Sequence, residues 1–235
     1  MIQTKRYKFE THMHTSEASA CAKNTGAELV IAHIEAGYAG LIVTDHFFNG
    51  NTAIPGSLPW EERVNLFCKG YENAKKAAEP YSFHVFFGWE YAFNGTEFLT
   101  YGLDKTFLLS HPDMLSWTPE EYCYRVRKSG GFISHAHPFR EAPYIPAIRL
   151  YPSLVDAVEV YNARNLKPYN DKALKYAKEH SLLQTAGSDT HHTGEIVGAG
   201  MEFFREITDI RDFIDAVRKG EFVICTGMTG KAPTA

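Results

Sequence analysis

The chain has 235 residues, 44% of them hydrophobic and 22% charged, a composition that fits an ordinary soluble globular protein of one domain or two small ones. Its net charge of −4 with neutral histidines argues against a basic surface for long nucleic acids, although small anionic substrates remain compatible. The four cysteines form no C-x-x-C pair, and residues 1–6 lack a signal-peptide stretch. No run of about 18 apolar residues exists for a membrane span. We therefore expect a reduced cytoplasmic protein.

Strand-like and helix-like segments alternate through the first half of the chain. The predicted helix over residues 59–78 begins with Pro59 and carries Val64, Phe67 and Tyr71 on one face. The predicted elements are strands over residues 7–9, 40–44, 84–90 and 98–103, and helices over residues 26–37 and 59–78.

The alternation continues through the second half. Thr118 and Pro119 form a strong helix start, and this helix runs to Gly130. The remaining predicted elements are strands over residues 132–135, 157–161 and 183–186 and helices over residues 170–179 and 210–219. Such alternation favours a single-domain barrel, smaller or more distorted than the eight-unit barrel of about 250 residues. The long loops over residues 47–58 and 140–153 are candidate substrate loops.

Acidic and imidazole side chains recur where the apolar runs end. In a repeating strand–helix chain, strand ends converge on one rim, so residues distant in sequence meet there. Neutral imidazoles and carboxylates together suit Zn²⁺, Mn²⁺ or Fe²⁺. The clusters are His12 and His14, Asp45 and His46, Glu90, His111, His135 and His137, Asp189, and His191 and His192.

Spacing within the clusters predicts which side chains point the same way. Residues two apart on an extended strand face the same side, which pairs His12 with His14, His135 with His137, and Asp189 with His191. Adjacent residues face opposite sides. We therefore predict His46 as a ligand with Asp45 orienting a ligating imidazole, and His192 as a group that contacts the substrate or a ligand.

The number of predicted ligands exceeds what one tetrahedral ion can use. Glu90, at the end of an apolar strand, is well placed to bridge two cations about 3.5–4 Å apart. His111 lies in a loop and is predicted to be a surface residue, while His33, His84 and His180 fit ordinary helix or strand positions. The pattern indicates a hydrolase with two or three metal ions.

With these residues in order, the chain resembles the PHP (polymerase and histidinol phosphatase) superfamily. The resemblance covers nearly the whole chain, and it implies one PHP-type metallophosphoesterase domain over residues 1–235, an α/β distorted (β/α)7 TIM-like barrel and a trinuclear site that hydrolyses phosphoesters. The matching segments are His12-Met13-His14-Thr15, Thr44-Asp45-His46, Glu90, Ser134-His135-Ala136-His137-Pro138, Val158-Glu159-Val160-Tyr161-Asn162 and Gly187-Ser188-Asp189-Thr190-His191.

The resemblance also implies how the ligands divide. His12, His14, Glu90 and Asp189 would hold one ion, and His46 and His191 would hold the third. Glu90 would bridge to the second ion with the His135-Ala136-His137 strand, where His137 is preferred because the family's histidine usually precedes proline.

Two positions of the family pattern are not filled. Ala20, beside Cys21, stands where the family has a histidine or aspartate, and the segment from Tyr101 to Asp104 stands where a further ligand is often found. The candidate replacements are Glu17, Cys21, Asp104 and His111.

Under this reading the reaction is metal-assisted hydrolysis of a small phosphomonoester. Arg140 is the leading candidate to bind the phosphate oxygens, with Arg164 and Lys167 as second choices, and His192 or His46 would protonate the leaving group. The residues predicted to form an apolar wall are Tyr144, Tyr151 and Trp60.

Two alternatives stay open at the level of sequence. One is an amidohydrolase-type metal hydrolase, although such sites usually use a lysine at a strand end and none stands there. The other is a catalytically silent metal-binding domain, against which the buried acids Glu90 and Asp189 argue because burying unused acids is costly. The particular phosphoester, the metal and the oligomeric state are left open by the sequence.

Overall fold

A computed structural model describes residues 5–227 of the chain. Nine strands form one sheet in the order β7-β6-β5-β4-β3-β2-β1-β8-β9. The strands are β1 (Tyr7–Met13), β2 (Gly40–Val43), β3 (His84–Phe93), β4 (Thr96–Tyr101), β5 (Phe132–Ala136), β6 (Ala157–Asn162), β7 (Leu183–Gly187), β8 (Ala199–Phe203) and β9 (Phe222–Thr226). The helices are α1 (Gly26–Glu35), α2 (Trp60–Phe67), α3 (Lys69–Ala78), α4 (Lys105–Leu109), α5 (Pro119–Lys128), α6 (Lys167–Glu179) and α7 (Ile210–Lys219).

The sheet curls until β7 meets β1, which nearly closes a barrel. Just beyond β7, the Thr190 amide donates to the carbonyl of His12, and the His14 amide donates to the carbonyl of Thr190 over 2.9 Å. The Thr11 hydroxyl also donates to the carbonyl of Ala186, over 2.8 Å. The predicted barrel-like α/β fold is therefore confirmed.

Strand direction is mixed, and this distorts the barrel. The pairs β1–β2, β2–β3, β5–β6 and β6–β7 are parallel, whereas β4 is antiparallel to both β3 and β5. Strand β8 is antiparallel to β1 and β9. In consequence the beginning of β4, rather than its end, lies at the rim where β3 and β5 end.

Most predicted elements are present, with several differences. The helix predicted over residues 59–78 is two helices that meet at Cys68, where ψ is −6°. Strands β8 and β9 and the short helix α4 were not predicted. None of the helices between residues 5 and 227 combines the length and apolar character that a membrane span requires.

Aromatic side chains dominate the core between the sheet and the helices. The Trp89 indole donates to the Tyr122 hydroxyl over 2.7 Å. The same hydroxyl also contacts the Thr100 hydroxyl at 2.6 Å. Both large rings are fully buried, and burial of each stabilises the fold by roughly 1.5–3 kcal/mol or more. This packing anchors β3, β4 and α5, and so fixes one side of the rim.

Helices α1 and α3 cross so closely that side chains are excluded at the contact. A Cβ atom on Gly26 would lie 2.2 Å from the Gly70 carbonyl oxygen, and one on Gly70 would lie 2.0 Å from Oγ1 of Thr15. Thr15 directly follows His14. The close crossing therefore supports the loop that leaves the end of β1.

Candidate metal centre

Seven of the eight predicted metal ligands lie together at the carboxyl-end rim of the barrel. They come from the ends of five strands or from the residues just beyond them, and all are buried. The seven are His12, His14, His46, Glu90, His137, Asp189 and His191.

These side chains form four overlapping sets of three, each with ligand atoms within 4.8 Å of one another. Glu90 belongs to two sets, as do His12, His14 and His46, so the sets adjoin rather than lie apart. The sets are His12–His14–Glu90, His12–His137–Asp189, His14–His46–His191 and His46–Glu90–Glu97.

Glu90 lies at the centre of the cluster and turns its two oxygens to different partners. Oε1 is 3.2 Å from Nε2 of His12 and 3.1 Å from Nε2 of His137. Oε2 is 2.7 Å from Nδ1 of His46. One carboxylate thus faces two sets of imidazoles, the arrangement that a bridging ligand needs.

The orientation of buried atoms in this cluster fits cation binding. Oε2 of Glu90 and Nδ1 of His46 are close, yet among the described residues neither has a partner at proper hydrogen-bond angles. Nε2 atoms of His12 and His14 also face each other at 3.1 Å. Buried polar atoms are normally paired, so an unpaired carboxylate oxygen beside an unpaired imidazole nitrogen fits the binding of a shared cation.

Asp189 links the cluster to an arginine. Its Oδ1 is 3.3 Å from Nε2 of His14, and its Oδ2 accepts a hydrogen bond from Nη2 of Arg140 over 2.7 Å. The backbone of Asp189 is left-handed, with φ of 60°, a conformation that aspartate tolerates better than most residues. This turn directs the carboxylate into the barrel mouth.

Glu97 is a buried member of the cluster that the sequence reasoning missed. Its Oε2 is 3.4 Å from Nε2 of His137 and its Oε1 is 3.9 Å from Nδ1 of His46. Glu97 reaches the rim because β4 runs antiparallel to β3. The signal was Asn94-Gly95, a dipeptide typical of two-residue hairpins, with φ of 49° and 81° in the structure.

Two more buried acids lie behind the cluster and were also missed as site residues. Glu159 Oε1 is 2.9 Å from Nδ1 of His12, and Glu159 Oε2 accepts from the His137 amide over 3.0 Å. Glu10 accepts from the amides of His12 and Ser188, over 2.8 and 2.9 Å. The available signal was an acid inside each apolar strand, with Glu10 two residues before His12.

Burial raises the pKa of Glu10 to about 7, although its hydrogen bonds from Ser188 and His12 oppose the rise. A carboxyl group in this state carries less than a full negative charge at neutral pH. It acts on the cluster through the backbone of His12 rather than as a further anionic ligand.

Asp45 acts on the cluster through Ser19. It accepts from the amide and hydroxyl of Thr15, over 2.6 and 2.7 Å, and from the hydroxyl of Ser19 over 2.7 Å. Oγ of Ser19 is in turn 3.3 Å from Nδ1 of His14 and accepts from the amide of His46 over 3.0 Å. Asp45 is thus linked to His14 and His46 through Ser19, and its orienting role stays a prediction.

The structure places His135 outside the cluster, contrary to the predicted ligand set. Its ring packs 5.4 Å from the ring of Phe98 and 6.2 Å from that of Tyr151, and burial lowers its pKa to about 3. The expected pairing with His137 fails because β5 ends at Ala136 and His137 has a left-handed backbone, with φ of 26°. Side chains two residues apart point to the same side only where the backbone is extended.

His192 also lies away from the position predicted for a proton donor. Its Nδ1 accepts from the amide of Gly194 over 3.2 Å, and its Nε2 is 3.4 Å from Glu195. The ring caps the short 3₁₀ turn Thr193–Glu195 and does not line the cavity above the cluster.

A cavity of about 490 Å³ opens above the candidate ligands. Arg140 lines it and is held by three hydrogen bonds, to Asp189 and to the side-chain oxygens of Asn162 and Asn165, each over 2.7–2.9 Å. Tyr144 also lines this cavity. The cavity therefore places a fixed guanidinium and a phenol beside the candidate metal centre.

The other residues proposed for substrate binding differ in their location. Arg164 lines the cavity, 3.3 Å from Nδ1 of His191 and paired with Glu195. Lys167 is 84% exposed, pairs with Asp171 and lies outside the cavity lining. Of the three predicted wall residues, Tyr144 lines the cavity, whereas Tyr151 and Trp60 pack elsewhere in the core.

Of the four candidate replacement ligands, Cys21 lies at the cluster. Glu17 accepts from the amide of Gly26, Asp104 caps α4, and His111 contacts the carbonyl of Phe107. Cys21 lines the cavity together with His191 and His46. Burial raises the pKa of this thiol, but its interactions with these two imidazoles outweigh burial and lower the pKa to about 6.

Opposite charges dominate the electrostatics of the cluster. Burial alone would lower the pKa of His12 and raise that of Glu90. The charges of Glu159, Asp189 and Glu90 instead raise the pKa of His12, and those of His12 and His46 hold the pKa of Glu90 well below its usual range. The cluster is therefore built to carry several negative charges that cations or protons must balance.

Comparison with known proteins gives a family match for one segment of the chain and a similarity of fold for most of it. Residues 167–222 match the PHP-associated family, PHP_C, and this segment contains Asp189 and His191. A search of curated proteins gives no match.

Several solved structures are similar. One is a two-domain protein from Bacteroides vulgatus containing a predicted PHP-like metal-dependent phosphoesterase, with 14% identity, a TM-score of 0.68 and 95% of this chain covered. The chain spans 65% of the length of that protein.

Two further structures are similar over most of both chains. A candidate metal-dependent phosphoesterase from Bifidobacterium adolescentis has 17% identity and a TM-score of 0.57, with 82% of this chain and 90% of that one covered. An amidohydrolase from Chromobacterium violaceum, solved with sulfate and without metal, has 14% identity and a TM-score of 0.60, with 92% and 98% covered. At these identities the similarity is one of fold.

Proposed function

We propose that the chain belongs to the PHP superfamily and that it is a metal-dependent hydrolase acting on a small phosphomonoester. The position of Glu90 carries the proposal. Its Oε1 faces His12 and His137 while its Oε2 faces His46, so a single carboxylate joins two sets of ligands. Divalent cations bound at such a site supply Lewis acidity toward phosphoryl oxygens and lower the pKa of coordinated water toward neutrality.

The ligand sets support at least two ions. His12, His14 and Glu90, joined by Asp189, form one position, and Glu90 with His46 and Glu97, beside His137, forms a second. Zn²⁺, Mn²⁺ and Fe²⁺ all suit imidazole and carboxylate donors. Glu97 takes the place that the sequence reasoning left without a ligand.

Arg140 supplies the positive charge that a phosphate needs outside the metal ligands. Its hydrogen bonds to Asp189, Asn162 and Asn165 fix the guanidinium at the cavity wall before the substrate arrives. A preorganised cation stabilises charge that builds on the nonbridging oxygens. Tyr144 lines the same cavity and would add a neutral hydroxyl donor.

The cavity favours a small substrate. A volume of about 490 Å³ lies within the range of about 300–1,000 Å³ typical of small-molecule sites. The acidic net charge of −4 agrees with a small molecule rather than long nucleic acid. A reducing, cytoplasmic location stays a prediction from the four separated cysteines.

The amidohydrolase alternative has one observation in its favour, the similarity of fold to the Chromobacterium violaceum protein. The cavity argues against it. Among the described residues that line this cavity there is no lysine, the residue usually carbamylated in such sites.

The experiment is phosphate release from a panel of phosphorylated metabolites, with Mn²⁺-loaded protein beside a chelated sample. Metal-dependent release from one compound class, lost in the Glu90→Gln variant, would support the proposal and identify the substrate class. If metal-loaded protein releases no phosphate but hydrolyses amides or lactones, the phosphoesterase proposal is wrong.

A further inference from the structure

Asn162, the last residue of β6, is completely buried behind the candidate metal centre. The side chain of Asn170 holds its backbone in place. The Asn162 amide donates to Oδ1 of Asn170 over 3.2 Å, and Nδ2 of Asn170 donates to the Asn162 carbonyl over 3.0 Å. These two hydrogen bonds fix the direction in which the Asn162 side chain leaves the strand.

The side-chain amide of Asn162 has acids on one side and N–H donors on the other. Its Nδ2 donates to Oε2 of Glu159 over 3.0 Å and to Oδ2 of Asp189 over 3.3 Å. Its Oδ1 accepts from Nη2 of Arg140 over 2.9 Å and from the backbone amide of Arg164 over 3.0 Å. All four hydrogen-bonding positions of the amide are therefore used.

The partners of this side chain call for an uncharged amide. The two carboxylates need donors, whereas the guanidinium and the backbone amide need an acceptor. An aspartate at position 162 would set a further carboxylate against Glu159 and Asp189, and a serine would offer one donor instead of two. The same partners fix the orientation of the amide, because the reverse orientation would turn its NH₂ group toward the guanidinium and its oxygen toward both acids.

We infer that Asn162 is a positioning residue that holds the candidate ligand Asp189 and the proposed phosphate-binding Arg140 in one arrangement. The three side chains form a closed ring of hydrogen bonds, since Oδ2 of Asp189 also accepts from Nη2 of Arg140 over 2.7 Å. Oδ1 of Asp189 is left to face Nε2 of His14 at 3.3 Å. The inference rests on the proposed function for the role of Arg140, and it adds that one amide acts on both metal binding and phosphate binding.

Asn165 provides a matched control. Its Oδ1 accepts from Nε of Arg140 over 2.9 Å and its Nδ2 donates to Asn170 over 3.1 Å, and within residues 5–227 it bonds none of the candidate ligands. Asn162→Ala should lower Zn²⁺ affinity about 10- to 100-fold, and should lower the affinity of the Zn²⁺-loaded protein for inorganic phosphate about 10-fold. Asn165→Ala should lower only the phosphate affinity. Competition with a chelator measures the first affinity and calorimetry the second.

Two further measurements separate positioning from a purely structural role. In an Arg140→Ala background, Asn162→Ala should not reduce phosphate affinity further, because Asn162 acts through that guanidinium. In the unaltered protein, the NMR signal of the Asn162 side-chain amide should shift when Zn²⁺ is bound. The signal of Asn73, whose amide donates to Glu17 at the surface, should stay unchanged.

Equal Zn²⁺ affinities in Asn162→Ala and Asn165→Ala would overturn the inference. So would additive losses of phosphate affinity with Arg140→Ala, or an Asn162 signal that does not respond to Zn²⁺. All of these readouts report binding rather than turnover. A protein that gives the expected results but releases phosphate from no ester would support the positioning role while contradicting the phosphoesterase proposal.

Discussion

Nδ1 of His12 lies 2.9 Å from Oε1 of Glu159, and both side chains are completely buried. A hydrogen bond from Nδ1 to this carboxylate leaves the other ring nitrogen, Nε2, free to bind a cation. Nε2 faces Oε1 of Glu90 at 3.2 Å. Glu159 therefore favours the form of His12 that the candidate metal centre needs, from a strand that contributes no candidate ligand itself.

Replacing Glu159 with glutamine should weaken metal binding without removing a ligand. Loss of a carboxylate behind a ligating histidine typically lowers metal affinity by about 10- to 100-fold. Titration against a competing chelator measures the affinity. Glu179→Gln, which alters an exposed residue of α6, is the matched control, and an affinity equal to wild type in Glu159→Gln would contradict the assigned role.

Replacing Glu90 with glutamine should lower the number of bound ions and abolish turnover. The amide keeps the size of the side chain but removes the negative charge that faces His12, His46 and His137. Metal content per chain and phosphate release are measured on the same sample, with Glu120→Gln on the surface of α5 as control. Unchanged metal content and rate would refute the polynuclear assignment.

Metal binding should strengthen as pH rises and should release protons. Burial alone would lower the pKa values of His12 and His46, but nearby carboxylates outweigh burial and raise both well above 6.5. In the metal-free protein these rings therefore hold protons at neutral pH, and a cation must displace them. Calorimetry in buffers of different ionisation enthalpy counts the released protons, and a binding heat that does not depend on the buffer would contradict this prediction.

Arg140→Lys should impair phosphate binding although it keeps the charge. Lysine cannot reproduce the planar fork that bonds Asp189, Asn162 and Asn165 together. Because hydrogen bonds to charged groups contribute about 1.5–3 kcal/mol, we expect KM to rise about 10- to 100-fold. Arg149→Lys is the control, since Arg149 lies in the same loop but bonds the carbonyl of Asn94. Equal KM values for the two variants would exclude a specific role for Arg140.

Gly70→Ala should reduce both stability and metal content. The new Cβ would lie 2.0 Å from Oγ1 of Thr15 and 3.0 Å from Oδ2 of Asp45, the pair that supports His14 and His46. Overpacking of this kind costs about 1–3 kcal/mol in the free energy of unfolding. Thermal unfolding and metal analysis test this against Gly56→Ala, where a Cβ meets nothing within 4 Å. Equal Tm values for the two variants would contradict the prediction.

The local sequence pattern was enough to predict those candidate ligands that lie on extended backbone. His12 and His14 lie at and just beyond the end of β1, and their spacing of two correctly predicts a shared face. The same rule fails for His135 because the chain leaves the strand at Ala136. A left-handed residue such as His137 reverses the side-chain direction, and no pattern of polarity reveals that backbone angle.

Nonlocal geometry accounts for the residues that were missed. Glu97 joins the cluster only because β4 returns antiparallel to β3, whereas a regular strand–helix repeat would place it at the opposite end of the barrel. Glu159 and Glu10 look like isolated acids in apolar strands. Their roles depend on contacts with His12, which lies 147 positions from Glu159 along the chain.

The antiparallel strand β4 also separates the shape of the cavity from the positions of the candidate metal ligands. The protein could therefore change the two independently during evolution. The Asn94-Gly95 turn packs against the loop at Ile145, and Arg149 donates to the carbonyl of Asn94, so turn and loop together wall the cavity. Glu90 stands four residues before this turn and Glu97 two residues after it, on paired strands that hold them in register. Insertions at the turn tip can therefore reshape the space for a leaving group while the metal ligands stay in place, which makes this hairpin a natural location for divergence in substrate range.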